Sequence, residues 1–277
     1  MTDLNNTPKL SESTDTAIAY STCYALPELW NGDCLELMKR IPNGSIDAII
    51  TDPPYGTTAC KWDSVIPFDL MWEQLNRIIK PNGAIVLFGS EPFSSALRMS
   101  NIKNYRYDWV WDKTRGANFQ QANFAPMKST ENILVFSKLP AIFTKKGSMI
   151  YYPQKEGSEE YISKMGNSGN IVRDKGSNSL KKIETKLKGK FPKTILIFKK
   201  DSKNKHPTQK PVLLMEYLIK TYTKENETVL DFTMGSGTTM VACKNTNRNG
   251  IGIELDENYF NIANQRVEEK TNQTTLF

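Results

Sequence analysis

Ile46-Asp47-Ala48-Ile49-Ile50-Thr51-Asp52-Pro53-Pro54-Tyr55-Gly56 is an apolar run that stops abruptly in a polar loop. The run reads as a buried strand, because a strand covered on both faces needs no polar alternation. The Pro-Pro pair fixes φ and has no N–H to give, so the carbonyls around it stay free while Asp52 and Tyr55 are carried on a stiff frame. Such a loop offers acceptors and one aromatic face. That suits the activation of an exocyclic amine on a nucleobase, whose lone pair is delocalised into the ring. A carboxylate and a backbone carbonyl accepting its two hydrogens would favour a tetrahedral nitrogen with its lone pair aimed at an electrophile. Tyr55 would stack on the base once it had left a duplex. A plain surface turn or a proline-rich ligand are the competing readings of the loop.

Working outward, strands and helices alternate on both sides. Leu29 to Cys34 predicts a short strand with a Gly-Asp turn, and Cys34 to Arg40 a helix closed by Pro42-Asn43-Gly44. Phe68 to Ile79 has helical spacing and stops at Lys80-Pro81-Asn82-Gly83, and Ala84 to Phe88 is a continuous apolar strand. A helix around Pro92 to Met99 precedes two strands, Tyr105 to Trp111 and Glu131 to Phe136, expected as an antiparallel pair at one edge of the sheet. Regular alternation resumes at Pro211: helix from Val212 to Lys220, strand from Thr228 to Phe232, helix starting in Gly235 to Cys243, strand from Gly250 to Glu254, helix from Asn258 to Glu269. The expected fold is therefore α/β, a mostly parallel sheet with helices on both faces.

From Leu139 to Lys205 the periodicity weakens, and this stretch reads as an insertion whose one clear strand is Thr194 to Phe198. Charge is concentrated there. Lys145 to Lys210 holds 17 basic and 6 acidic residues, +11, against +6 for the whole chain, leaving 6 − 11 = −5 elsewhere. A solvated loop and a polyanion-binding face are both open on charge alone, and the interleaved aromatics fit either a small core or nucleic acid. At 277 residues, one catalytic domain with an insertion is expected, divided as a mobile tail (1–22), a catalytic half (23–138), the insertion (139–205), a cofactor half (206–270) and a short tail (271–277). The four cysteines form no C-x-x-C pair and His206 is the only histidine, so no metal site is expected. No apolar run of about 18 residues suggests a membrane span, and a cytoplasmic location is expected.

Two further segments carry chemistry. Asp231-Phe232-Thr233-Met234-Gly235-Ser236-Gly237-Thr238-Thr239 is a strand end, a glycine turn and a helix start, where backbone N–H groups and positive potential face a ligand. It lacks the lysine of a P-loop, and Met240 stands at the third glycine position of the dinucleotide fingerprint. Glu254 ends the next strand, where a carboxylate can accept ribose hydroxyls. His206-Pro207-Thr208-Gln209-Lys210-Pro211 leads into a helix, with Lys210 suited to hold a carboxylate and His206 to binding.

With these in order, the chain from about Leu29 to Val267 resembles the beta-class amino-methylating DNA methyltransferases. The resemblance rests on Asp52-Pro53-Pro54-Tyr55, the His206 to Pro211 segment, Phe232 to Thr239, and Gly252-Ile253-Glu254-Leu255-Asp256. In that family the catalytic loop precedes the glycine loop in a circularly permuted order, with target recognition between them, and the basic insertion falls in that gap. The resemblance implies a Rossmann-like S-adenosylmethionine-dependent fold. Asp52 and the Pro53 carbonyl would receive the N6 hydrogens of a flipped adenine, with Pro54 stiffening the loop and Tyr55 stacking. Gly235, Ser236, Gly237, Thr238 and Thr239, with Asp231 and Phe232 before them, would surround the methionine part of the cofactor. Glu254 would hold its ribose, Asp33 and Cys34 would approach its adenine, His206 and Lys210 would contact its methionine end, and Asp52 would border the cofactor as well as the base. Double-stranded DNA is the implied partner; a homodimer and a companion restriction endonuclease are compatible with the family. The alternatives are N4-cytosine methylation, for which family members usually carry Ser at the position of Asp52, and a non-catalytic DNA-binding subunit.

Overall fold

The computed structural model of the chain describes residues 27–56, 64–164, 184–200 and 209–269. In chain order the elements are β1 (Glu28–Asn31), α1 (Cys34–Met38), β2 (Ile46–Thr51), α2 (Phe68–Ile78), β3 (Ile79–Gly89), α3 (Phe93–Ser100), β4 (Tyr105–Ala117), β5 (Lys128–Phe136), β6 (Glu156–Lys164), β7 (Glu184–Lys190), β8 (Ile195–Ile197), α4 (Val212–Tyr222), β9 (Thr228–Asp231), α5 (Thr238–Asn245), β10 (Asn249–Glu254) and α6 (Glu257–Glu268).

Eight strands form one sheet in the order β1-β10-β9-β2-β3-β5-β4-β8, and β6 with β7 forms a separate antiparallel ribbon. Within the large sheet only β5 runs against its neighbours. Every residue of β2 is buried, as its aliphatic run requires, and successive side chains enter two different cores. Ala48, Ile50, Val86 and Val229 meet α4, α5 and α6 on one face, while Ile49, Leu87 and Leu230 meet α1, α2 and α3 on the other. The sheet is thus the α/β, mostly parallel, doubly covered structure that the alternation of elements implies.

The fold departs from the sequence expectation in three places. Helix α2 passes directly into β3 at Ile79, so Lys80-Pro81-Asn82-Gly83 is an irregular start of the strand, with the register shifting between Ile46 and Ala48. The buried Asp47 explains why: one oxygen takes Lys80 Nζ at 2.5 Å and the other the Thr228 N–H at 3.0 Å, which fastens the irregularity to both neighbours of β2. Second, the β4–β5 pair is not the edge, because β8 adds in parallel outside β4 with Leu196 in the core. Third, β6 and β7 carry no apolar alternation, and the exposed stretch of β6 from Glu156 to Glu160 shows that the ribbon needs none.

Connections fix where a ligand can sit. β2 and β9 are neighbours, yet α2 packs on one face of the sheet and α5 on the other. The chain therefore diverges above their carboxyl ends, and a crevice is left at this switch point.

Gly237 shows how tightly α5 and α6 are packed. Its φ is +76°, and an added Cβ would lie 2.8 Å from Ala263 Cβ of α6. Gly44 has φ +62° with nothing within 4 Å. Gly44→Ala should lose about 1 kcal/mol from the left-handed backbone alone, and Gly237→Ala about 2 kcal/mol or more, because overpacking adds to it. Urea unfolding of both variants measures this; equal losses would show that the α5–α6 contact yields without strain.

Candidate active site

Two loops from opposite halves of the sequence meet at the crevice. Thr51 Oγ1 donates to Asp231 Oδ1 at 2.5 Å and lies 2.7 Å from Thr233 Oγ1, and Thr233 Oγ1 donates to the Asp52 carbonyl at 3.1 Å. Asp231 also accepts from the Thr233 N–H at 3.2 Å and from Thr239 Oγ1 at 2.5 Å. One buried carboxylate thus ties the end of β2 to the end of β9 and to the first turn of α5. Burial pushes its carboxyl up to about 6, with the charge of Asp52 adding to that and the Thr239, Thr51 and Thr233 donors opposing it.

A cavity of about 460 Å³ opens along this seam. Asp52, Pro53, Pro54 and Tyr55 line one side. Asp33, Cys34, Asp231, Phe232, Gly235, Ser236, Thr238, Thr239 and Glu254 line the rest, with Lys210 between. The volume is that of a small-molecule site. Gly237 is the exception among the glycine-loop residues, since its Cα faces Ala263 instead of the cavity. His206 lies outside the described residues.

Asp52 has a dense set of partners. Lys210 Nζ donates to Oδ2, and the Tyr55 hydroxyl lies 2.5 Å from Oδ1. The same hydroxyl is 3.0 Å from Glu131 Oε1, and Lys210 Nζ is also 3.0 Å from that oxygen. Glu131 Oε2 meets Lys113 Nζ at 2.6 Å. Lys210 in addition sits 4.9 Å from the centre of the Phe88 ring. Burial would drive Lys210 toward its neutral form, but Asp52 and Glu131 outweigh it and hold the ammonium above its usual range. Burial likewise opposes ionisation of Glu131, and Lys210 with Lys113 overcomes it, leaving the carboxyl at about 2. Asp52 goes the other way: burial and the charge of Glu131 raise its proton affinity, with Lys210 and Tyr55 pulling it back. Tyr55 is pushed well above its usual value by burial and by Asp52, so it remains a donor. Its ring stacks on Phe93 at 4.9 Å, which fixes the plane it presents.

The side of the cavity formed by Glu254, Asp33 and the glycine turn is organised by hydrogen bonds to backbone N–H groups. Glu254 accepts the Gly235 N–H through Oε2 and the Asp256 N–H through Oε1, both at 2.8 Å. Each oxygen keeps a second lone pair for a further donor. Burial, with the charge of Asp256, raises the carboxyl above its usual range against the Asp256, Gly235 and Leu255 N–H groups. Asp33 caps α1, its Oδ1 accepting from Leu35 N at 2.8 Å and Glu36 N at 3.2 Å. Cys34 behind it is pushed up to about 12, by burial and then by Asp33. Arg266 of α6 donates to the Ser236 carbonyl at 2.6 Å and its hydroxyl at 2.8 Å, and Ser236 reaches Gln209 at 3.3 Å.

Sequence reasoning passed over Glu131, Lys113, Thr51, Thr233 and Arg266. Glu131 carried one readable signal, an acid opening the apolar run Ile133-Leu134-Val135-Phe136 and so bound to need a buried cation.

Residues 46–265 match the sequence profile of the N6/N4 methyltransferase family, described as DNA methylase. The chain is 29% identical over 258 residues to the Type II methyltransferase M.HpaI of Haemophilus parainfluenzae, covering 87% of this chain and 74% of that one. It is 30% identical over 267 residues to the Type II methyltransferase M2.LlaDCHI of Lactococcus lactis subsp. cremoris, covering 87% and 89%. Among solved structures, the M1.HpyAVI–SAM complex superposes with a TM-score of 0.57 at 27% identity, covering 86% of this chain and 98% of that one. The cytosine-N4-specific PvuII DNA methyltransferase gives 0.64 at 17% identity over 90% and 89%, a likeness of fold.

The Asp231 tie has a measurable pH signature. Its carboxyl binds a proton more tightly folded, at about 6, than at its ordinary value of 3.8, so its contribution to stability is complete below about pH 4 and is lost as the pH rises through about 6. The stability of the wild type minus that of Asp231→Asn should fall by on the order of 3 kcal/mol between about pH 4 and 7. Urea unfolding across that range reads it, and a flat difference would mean that folding leaves Asp231 unperturbed.

Proposed function

The chain belongs to the DNA methylase family, and from that premise we propose that it transfers a methyl group from S-adenosylmethionine to the N6 amine of an adenine turned out of double-stranded DNA. The observation that carries the reading is the shared cavity: Asp52 on the β2 loop and Gly235, Ser236, Thr238 and Thr239 after β9 face one space across the switch point.

The residues present fit that cofactor. An added Cβ at Gly235 would meet nothing within 4 Å, so this backbone borders open space, and Glu254 retains acceptor capacity for ribose hydroxyls. Apolar Phe232, Leu255 and Ile66 line the same cavity beside Asp33, suiting a flat base with a polar edge. The solved relative in complex with SAM supports the same assignment. We assign Asp33, Cys34, Phe232, Gly235, Ser236, Thr238, Thr239 and Glu254 to its binding, with Asp231 holding the loop in shape. The ammonium of Lys210 is engaged by Asp52 and Glu131, so we assign it to aiming Asp52 and not to the methionine carboxylate.

The cofactor supplies a methyl group activated by its sulfonium, so the protein has to position and discharge the amine. Asp52 accepts one amine hydrogen on a free lone pair of its carboxylate, and a loop carbonyl, Pro53 in the resemblance, accepts the other. The nitrogen is then held tetrahedral with its lone pair toward the methyl. Asp52 would stabilise the positive charge that the amine nitrogen acquires on accepting the methyl group and would take the surplus proton, for which its raised proton affinity suits it. Tyr55, backed by Phe93, serves as the platform for the base. Asp at position 52, where N4-cytosine enzymes of the family usually carry Ser, favours adenine. The Type II methyltransferase relatives support a setting of restriction and modification. Residues 139–205 are assigned to DNA contact, with β8 among them also closing the main sheet.

Asp52→Ala should reduce methyl transfer by a factor of about 1000 or more, since both charge stabilisation and orientation are lost, while binding of S-adenosylmethionine is retained. A tritiated-methyl assay beside calorimetry tests it, and nucleoside mass spectrometry of the product reads adenine against cytosine; an active variant would remove Asp52 from the reaction. The exposed lysines Lys188, Lys190 and Lys193 are the basic groups to test for phosphate contact. Reversing all three to Glu should lower the salt dependence of DNA binding by about one unit per lysine that meets a phosphate, and an unchanged slope would place the DNA elsewhere.

A further inference from the structure

The end of the sheet that carries Asp52 carries a second feature that methyl transfer does not use. Because β5 alone is reversed, its first residues leave the sheet at the end where β2, β3 and β9 finish. Gly89, the last residue of β3, pairs with Asn132, and residues 128–131 continue past it beside Asp112 and Ala117 of β4. The ribbon is rooted in the site itself, since Glu131 at its base holds both Lys113 of β4 and Lys210.

Every residue from 114 to 128 is exposed, yet the tip is shaped. Phe119–Gln121 form a 3-10 turn, Asn118 before it has φ 65°, and the Phe124 and Ala125 N–H groups both donate to the Gln121 carbonyl. Phe119 is 80% and Phe124 90% exposed. Between Lys113 and Thr130 there are three cations, Lys113, Arg115 and Lys128, and no acid, with Asn118, Gln120, Gln121 and Asn123 as amides. Two phenyl rings held in water forgo their hydrophobic free energy, which points to a partner that covers them. Cations without acids suit phosphate, amides suit base edges, and apolar wedges are what DNA-distorting proteins insert between base steps. From Glu131 to Lys128 the strand rises roughly 10 Å, and the turn adds to that reach, against a groove about 8.5 Å deep.

We propose that the tip of the β4–β5 ribbon enters the duplex at the target base pair, with Phe119 and Phe124 stacking in the gap that the extruded base leaves. This rests on the methyltransferase reading above, and the two can fail separately. Sequencing for methylated bases in DNA from a host expressing the wild-type protein defines the target duplex; absence of methylation would defeat the activity itself. With 2-aminopurine at the target position, the wild type should raise fluorescence as the base leaves the stack. Phe119→Ala with Phe124→Ala should lose most of that rise and about tenfold or more in duplex affinity. Its salt dependence and its calorimetric binding of S-adenosylmethionine should be unchanged, because no charge and no part of the cofactor site is altered. A double variant that binds and extrudes the base like the wild type overturns the proposal. So does a sedimentation result in which the variant merely turns a dimer into monomers, which would make the rings a protein interface.

Discussion

A carboxylate inside the protein, Asp231, holds the site together. The strands it joins end at residues 51 and 231, and beyond their last registered pairs no ladder continues to keep the following loops side by side. The hydroxyls of Thr51 and Thr239 and the Thr233 N–H converge on it, and Thr233 passes the connection to the carbonyl of Asp52. A buried carboxylate is unfavourable unless its lone pairs are met, and here three donors from three positions meet them. The satisfaction of that one group therefore demands the alignment that places Asp52 opposite the glycine turn.

Around Asp52 the same logic sets charge. Asp52 is a half-buried acid and Glu131 a buried one, Lys210 and Lys113 are two cations, and they alternate so that each acid has a cation. Buried ion pairs contribute little net stability once desolvation is counted, but breaking one leaves an uncompensated charge. Their effect here is geometric. Lys210 cannot leave Asp52 without also disturbing Glu131, and Tyr55 spans the same two carboxylates. The carboxylate that we assign to the reaction is thus oriented before any substrate arrives, which is where electrostatic preorganisation has its effect.

Much of this was legible in the chain. The runs at Ile46, Ala84, Thr228 and Gly250 declare strands because they are apolar and end at Gly or an acid, and the helix periods between them force a covered parallel sheet. The loops at Asp52 and Gly235 stood out through their unusual composition. What did not show was anything that depends on a partner distant in sequence. Glu131 and Lys113 are ordinary strand residues until β4 and β5 pair, β8 is too short to announce that it joins the main sheet, and Gly237 looks like its neighbour Gly235 although one packs on a helix and the other borders the cavity. The basic excess from Lys145 to Lys210 drew attention to the insertion, whereas the ribbon tip, with three cations, is conspicuous only when its phenyl rings are seen uncovered.

The permuted order of motifs follows from where the seam lies. β2 pairs with β3 through five registered positions but with β9 through two, Ala48 with Val229 and Ile49 with Leu230. On one side of that seam β2, β3, β5 and β4 come from the first half of the sequence, with β8 of the insertion added outside β4, and on the other β9 and β10 come from the second half together with β1. The site needs β2 beside β9 with their following helices on opposite faces; it does not need either half to come first. An insertion between the halves lengthens one connection without touching the seam, since a longer loop adds little closure entropy. Residues 139–205 can therefore carry their excess of basic charge while the side-chain tie at Asp231, and not the chain connection, keeps Asp52 facing the glycine turn.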